Sequence, residues 1–316
     1  MTQGLFDTNQ KKKTLKNRYE LVFIYDSRFA NPNGDPMENN ELRIRQDKGF
    51  VTDTRLKRTI RDYLAEQGYD IFVIEKVDNN WKVIDIKGRL KETLNVNSEK
   101  DIKPEHIKQL IEKFIDIRLF GSAIKMKLTG AVQFNFGETM HKIQQIKVEW
   151  TTVFSSGENK WQWTFTEMFI TPYSIIAFHG VVNEKAAETT WMSEDDYRLL
   201  KEAIWSWTKN LITRSKFEQL PRLLIEVKFK EWVKTHIWEL DKYIQLKLKD
   251  GILDEKAIED ISEVKFDFSK FVEKINQNKE KIEKIVIYKD DRVEIENLPT
   301  DDNLFEIKSA VKEFEI

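Results

Sequence analysis

Hydrophobic positions along this chain fall into short blocks whose spacing switches between strand-like and helix-like periods. Tyr19–Tyr25 reads YELVFIY, a β-rich apolar run of buried-strand length. The segment that follows, NPNGDPMENNELRIRQDKGF, holds two X-Pro bonds and an Asn-Gly, which break regular structure. Thr52 and Asp53 then supply an N-cap and an acidic first turn for a helix over roughly Thr54 to Glu66, stopped near Gly68. Ile71–Glu75 and Trp81–Ile86 alternate, predicting strands around a turn at Asp78 to Asn80. Pro104 to Ile115 predicts a second helix, with Ile107, Leu110, Ile111 and Phe114 on one face. β-type stretches follow at Ala131–Phe136, Gln145–Phe154, Trp161–Ile170 and Tyr173–Val182. Ser193 caps a helix to about Leu211, Arg222–Phe229 predicts a strand, and Asn303–Phe314 a last helix. No internal repeat or clean linker interrupts the order. Strand, helix, strand, strand, helix, strand with long insertions is an α+β pattern of the ferredoxin-like or RNA-recognition type.

Composition narrows the function. With 34% charged and 12% aromatic residues the chain is a folded globular protein rather than a disordered one. Zero Cys removes disulfide frameworks, thiolate metal sites and cysteine nucleophiles. No apolar run approaches the roughly 18–20 residues of a membrane span, and the amino terminus has no signal-like apolar core, so a cytoplasmic protein without membrane contact is expected. The net charge of −2 hides an asymmetry. Residues 1–64 carry 13 Lys and Arg against nine Asp and Glu, whereas residues 231–316 carry 15 against 22.

Enzyme signatures are lacking. The four His are scattered without ligand spacing, and neither a phosphate-binding loop nor a nucleophile elbow occurs. Asn31, Asn33 and Asp35 alternate as in a calcium loop, but Pro36 and Leu42 occupy the positions that need Gly and Glu. Asp26 and Asp35 could flank a reaction, although Asp35 in an N-G-D-P turn suits turn chemistry equally. The expectation is a non-catalytic protein with no metal and no cofactor.

Two features suit a polyanionic partner. At about 100° per residue, Lys57, Arg61, Thr54 and Arg58 share one face of the first helix while Leu56, Ile60, Tyr63 and Leu64 form the other. Arg43 and Arg45 alternate just upstream, so five cations gather near a helix end whose free N–H groups also suit phosphate. A merely solvated basic face would have the same spacing. Between Trp150 and Phe169, Phe154, Trp161, Trp163 and Phe165 mark a hairpin that either faces the core or projects for stacking.

The stretches FIYDSRFANPNGDP and LRIRQDKGFVTDTRLKRTIRDYL resemble the amino-terminal signature of the backbone subunits of type I CRISPR Cascade complexes, members of the repeat-associated superfamily. DIRLFGS, TGAVQFNFG and LITRSKFEQLPRLLIEV fit in the same order, so the resemblance spans about residues 18–230 and is nearest subtype I-B, then I-C. It implies a modified RNA-recognition fold shaped like a hand, with an inserted helical region at about 87–117 and a β-hairpin thumb at about 150–168. It implies a core over 1–230 and an acidic extension, 231–316, packed on it. Copies would stack head to tail along CRISPR RNA, beside other Cascade subunits, and hold the guide for pairing with target DNA.

Carried over by position, the resemblance makes Arg43, Arg45, Lys57, Arg58 and Arg61 phosphate contacts, with Thr52 at the helix cap. It places Asn31 and Asn33 in a loop facing RNA or a neighbour. Gly121 and Ser122 fall in a turn that lets backbone approach the strand closely, and Arg214, Ser215 and Lys216 in a polar turn near the RNA groove. Phe154, Trp161 and Trp163 would sit on the thumb. The aromatic signature of simple RNA-recognition domains is missing, so stacking of bases on an open sheet is not expected. A type III backbone subunit cutting target RNA through Asp35, and a guide-processing endoribonuclease, are the alternatives within the superfamily.

Overall fold

The computed structural model describes residues 14–78, 80–122, 128–152, 164–299 and 303–314. In chain order these form β1 (Tyr19–Ala30), β2 (Lys48–Val51), α1 (Asp53–Glu66), α2 (Ile86–Leu94), α3 (Pro104–Lys113), α4 (Ile115–Phe120), β3 (Val132–Phe134), β4 (Gly137–Thr139) and β5 (Ile146–Thr152). They continue with β6 (Thr164–Val182), α5 (Glu184–Thr190), α6 (Glu194–Asn210), β7 (Gln219–Phe229), β8 (Gln245–Leu248), β9 (Val264–Asp267), α7 (Ser269–Asn276), β10 (Ile282–Lys289), β11 (Phe305–Ser309) and α8 (Ala310–Phe314). Short 3-10 turns and two-residue strands complete the described residues.

One large sheet organises the molecule, in the order β11, β10, β7, β1, β6, β4, β2, with β3 also on β6. β1 lies antiparallel between β6 and β7, and among the described residues of this sheet the β10–β11 pair alone is parallel. The central run YELVFIY is apolar on both sides because both faces of the sheet are covered. Leu21, Phe23 and Tyr25 pack with Leu56, Ile60 and Leu64 of α1 and Leu200, Ile204 and Trp205 of α6. Val22 and Ile24 point the other way and pack with Leu240, Ile261, Phe266 and Phe271 of the carboxy-terminal region. That region therefore closes the face opposite the helices, and β10 and β11 also lengthen the sheet. Phe72, Leu90, Leu110, Phe114 and Trp191 make a separate small core under α2 to α4. Among the described residues no helix is long and apolar enough to cross a membrane.

Three local expectations are corrected. Ile71–Glu75 and Trp81–Ile86 are not strands; only a single bridge joins Val77 and Val83, and α2 begins at Ile86. The polar backbone of Ile71–Val73 is taken by side chains instead. Asp116 accepts from the Phe72 and Val73 amides at 2.8 and 3.0 Å, and Arg89 donates to the Ile71 and Phe72 carbonyls. Asn303–Phe314 is not one helix, because Phe305–Ser309 pairs with Ile285–Lys289 and only Ala310–Phe314 coils. The stretches expected on either side of Pro172 form one strand. The ladder omits the pair Phe29–Pro172, so the proline's missing N–H costs no bond, and Phe29 turns to φ 44°.

Candidate nucleic-acid interface

The start of α1 is built by its neighbours in the fold. Thr52 caps it by accepting from the Arg55 amide at 3.3 Å, while Asn33 Oδ1 accepts from the Thr52 amide and hydroxyl at 2.8 and 2.9 Å. Asn31 is buried and ties three segments together. Its side chain donates to the carbonyls of Asn40 and Phe169, its amide donates to Ser215 O at 2.7 Å, and its carbonyl accepts from Lys216 Nζ at 3.1 Å. Asn31, Asn33, Thr52, Ser215 and Lys216 thus meet at one end of the molecule, but the two asparagines act as braces there. Arg214 lies across the Trp150 ring at 3.8 Å, joining the same turn to strand β5. Phe154, Trp161 and Trp163 lie outside the described residues.

The expected row of five cations separates. Lys57 and Arg61 stay together over the Phe120 ring, at 5.8 and 5.0 Å, but both face inward. Lys57 pairs with Asp53 at 2.8 Å, and Arg61 pairs at 3.0 Å with an Asp116 side chain that is 0% exposed. Arg58 points out and pairs with Asp62 one turn on. Arg43 holds Asp35 at 2.7 Å, which leaves Asp35 engaged in its own turn, where it also accepts from the Met37 amide. Arg45 lies on the other side of the sheet, beside Lys48 and Phe50. Gly121 and Ser122 pair with Leu128 and Thr129. A Cβ on Gly121, at φ 75°, would stand 2.1 Å from the Leu128 carbonyl oxygen, so the close approach served here is to the chain's own backbone.

Sequence reasoning passed over Arg55. On a helical wheel it lies about 60° beyond Arg58, past the edge of the basic face and outside the apolar stripe. In the fold it is half-buried, with its Nη1 donating to Thr59 at 3.0 Å and its Nε without a hydrogen-bond partner. Burial, with Arg55 as a further cause, pushes the Lys216 ammonium down to about 8. Neither cation has a carboxylate within ion-pair distance among the described residues. These two cations lie near the amino end of a 14-residue helix, where both the charges and the helix dipole favour an anion. Only the spacing of Arg55 from Thr59, four residues on, hints at this in the sequence.

Asp26, the other acid noted in the sequence, is structural. It is 2% exposed, accepts from Tyr173 Oη at 2.5 Å and Arg222 Nε at 2.8 Å, and burial raises its pKa above the usual carboxylate range despite the arginine. Arg222 also reaches Asp290 at 2.8 Å, tying β7 to the turn after β10.

The profile of the CRISPR-associated protein Cas7 family matches residues 17–289. The chain belongs to the Cas7 family. A relative named CRISPR-associated protein Cas7, from Haloferax volcanii, is 28% identical, with 90% of each chain covered. Among solved structures, a chain of a CRISPR RNA-guided surveillance complex in a pre-nicking state is similar with TM-score 0.53 at 12% identity, covering 94% of this chain and 98% of that one. A chain of another CRISPR RNA-guided surveillance complex gives TM-score 0.50 at 13% identity over 92% and 94%. At that identity the likeness concerns the fold, and it agrees with the mixed α/β architecture around one large sheet. In this member of the Cas7 family, the matched region takes in every candidate residue named above, as well as most of the carboxy-terminal segment that closes the sheet.

Proposed function

We propose that this chain is a non-catalytic backbone subunit of a type I surveillance complex, subtype I-B, that coats CRISPR RNA. Copies stack head to tail along the guide, contact the other subunits, and leave the bases free to pair with target DNA. The core is a modified ferredoxin-like fold in which the order β7, β1, β6, β3 with helices α1 and α6 on one face corresponds to a split β-α-β arrangement. The β5–β6 hairpin is its thumb, the region about 87–117 its helical insertion, and residues 231–316 its carboxy-terminal extension.

The observation that carries this reading is the anion seat at Arg55 and Lys216. A protein that holds guides of any sequence needs phosphate contacts and no base readout, and two cations at a helix end provide that. Asn31, Asn33 and Thr52 support the seat by fixing its loops, and Arg214, Ser215 and Lys216 form its outer wall. The test is binding of single-stranded RNA by purified chain over a salt series. Arg55→Gln with Lys216→Gln should lower affinity equally for unrelated sequences and reduce the salt slope by about 0.7 per lost contact. An unchanged slope with unchanged affinity would remove the seat from the RNA path.

A further inference from the structure

The edge of the sheet carries a second set of chemistry that the phosphate seat does not use. Ala177 and Phe50 both pair with Glu138, so the three side chains share a face of the sheet, and Phe136, two residues before Glu138, points to the same side. This is the face opposite α1, which the carboxy-terminal region covers over the central strands. At β2 and β4 the cover ends. Phe136 is 49% exposed there, and its ring lies parallel to that of Phe50 within 3°, with centroids 6.2 Å apart.

The two rings line an open cleft of about 560 Å³ with Arg45, Gln46, Lys48 and Glu138. Glu138 is neutralised by Lys242 at 2.7 Å. Arg45 and Lys48 have no carboxylate within ion-pair distance among the described residues. An exposed ring stacked on a half-buried one, with two cations beside it that only the Lys242-paired Glu138 partly offsets, matches a flat π-face attached to a phosphate.

We propose that this cleft seats a nucleobase of single-stranded RNA against Phe136 and Phe50, with Arg45 and Lys48 on the flanking phosphates. The proposal rests on the RNA-coating reading above and adds a place for the base. Stacking suits a strand of variable sequence because every base offers a ring face, whereas hydrogen bonds to base edges would impose a preference. The simple RNA-recognition sheet stacks bases on its central strands; here the chain itself closes most of their length, and the edge offers an exposed ring at Phe136.

The test compares a uridine RNA with an abasic ribose-phosphate strand of the same length, each titrated against the full-length chain. Phe136→Ala should weaken binding of the uridine strand roughly 5- to 140-fold, the range for losing one stacked base, and leave the abasic strand unaffected. Phe136→Trp should keep tight binding, while Arg45→Gln with Lys48→Gln should weaken both strands. Melting temperature checks that each variant is folded; the exposed Phe136 side chain makes that a mild change. Equal affinities of wild type and Phe136→Ala for the uridine strand would overturn the stacking seat while leaving the phosphate reading intact. Failure of the wild type to bind either strand would overturn both. Altered self-association of Phe136→Ala without RNA, at unchanged RNA affinity, would reassign the cleft to a protein contact.

Discussion

Arg61→Ala separates a structural cation from an RNA contact. In the sequence Arg61 belongs to the basic face of α1, and its loss would weaken RNA binding alone. In the fold its side chain is 12% exposed and its Nε meets Asp116 Oδ2 at 3.0 Å, with the Asp116 side chain 0% exposed. Removing one partner of a buried pair costs about 3–5 kcal/mol, because the other charge is left without compensation. Asp116 keeps two backbone donors, from Phe72 and Val73, so the expected loss is smaller, about 2–4 kcal/mol. Unfolding entropy near the midpoint is roughly 2.1 cal/mol/K per residue, so for 316 residues the melting temperature should fall by about 3–6 °C. Differential scanning calorimetry reads this directly, and Asp116→Asn in the same chain should restore part of it. RNA affinity of the folded variant should stay within about threefold of wild type. A melting temperature within 1 °C of wild type, together with weaker RNA binding and a shallower salt slope, would refute the reasoning and return Arg61 to the phosphate path.

Lys216 should give RNA binding a pH dependence. Its ammonium is pushed from 10.5 down to about 8 in the folded chain, so affinity should fall as pH rises from 7 to 9. The cost of burying the charge is relieved over the window from about 8 to 10.5, so stability should rise there, and Lys216→Arg should flatten both profiles in binding and urea titrations. Gly121→Ala should lower the urea midpoint sharply, since both the positive φ and the 2.1 Å approach to Leu128 O oppose a Cβ. Arg222→Leu leaves Asp26 buried beside only the Tyr173 hydroxyl and should cost about 3–5 kcal/mol by urea denaturation. Adding Asp26→Asn should recover about half of that loss; no recovery would count against the pair as its cause.

The elements set by local pattern were readable from the sequence. β1 is apolar on every residue from Leu21 to Tyr25 because helices cover one face and the carboxy-terminal segment the other. The buried face of α1 follows its 3.6-residue period, with Leu56, Ile60, Tyr63 and Leu64 inside. What could not be read was the partner of a polar group. The alternation of Ile71–Glu75 is real, but its amides are taken by Asp116, over forty residues away. The same carboxylate turns Arg61 inward, and Asp53 engages Lys57. A helical wheel ranks cations by angle and cannot see which carboxylates the tertiary fold brings to them. Arg55 shows the converse, a cation outside the apolar stripe by angle that the fold half-buries with no carboxylate in ion-pair distance among the described residues.

The acidic carboxy-terminal region follows from the same constraint. Its apolar residues, Leu240, Phe266, Phe268 and Phe271 among them, close the sheet face on which a simple RNA-recognition domain would place its strand. Many of its carboxylates are engaged by lysines and arginines of the same region, as in Asp267 with Lys247, Glu294 with Lys249 and Asp260 with Arg292. Its net charge therefore says little about what the molecule binds. With that face closed, Arg55 and Lys216 at the start of α1, and Arg45 and Lys48 at the sheet edge, are among the cations with no described carboxylate in ion-pair distance. The stretch from Arg45 through Phe50 to Thr52 joins these two places along the chain, which makes the Arg55 and Phe136 variants complementary tests of the proposed RNA path.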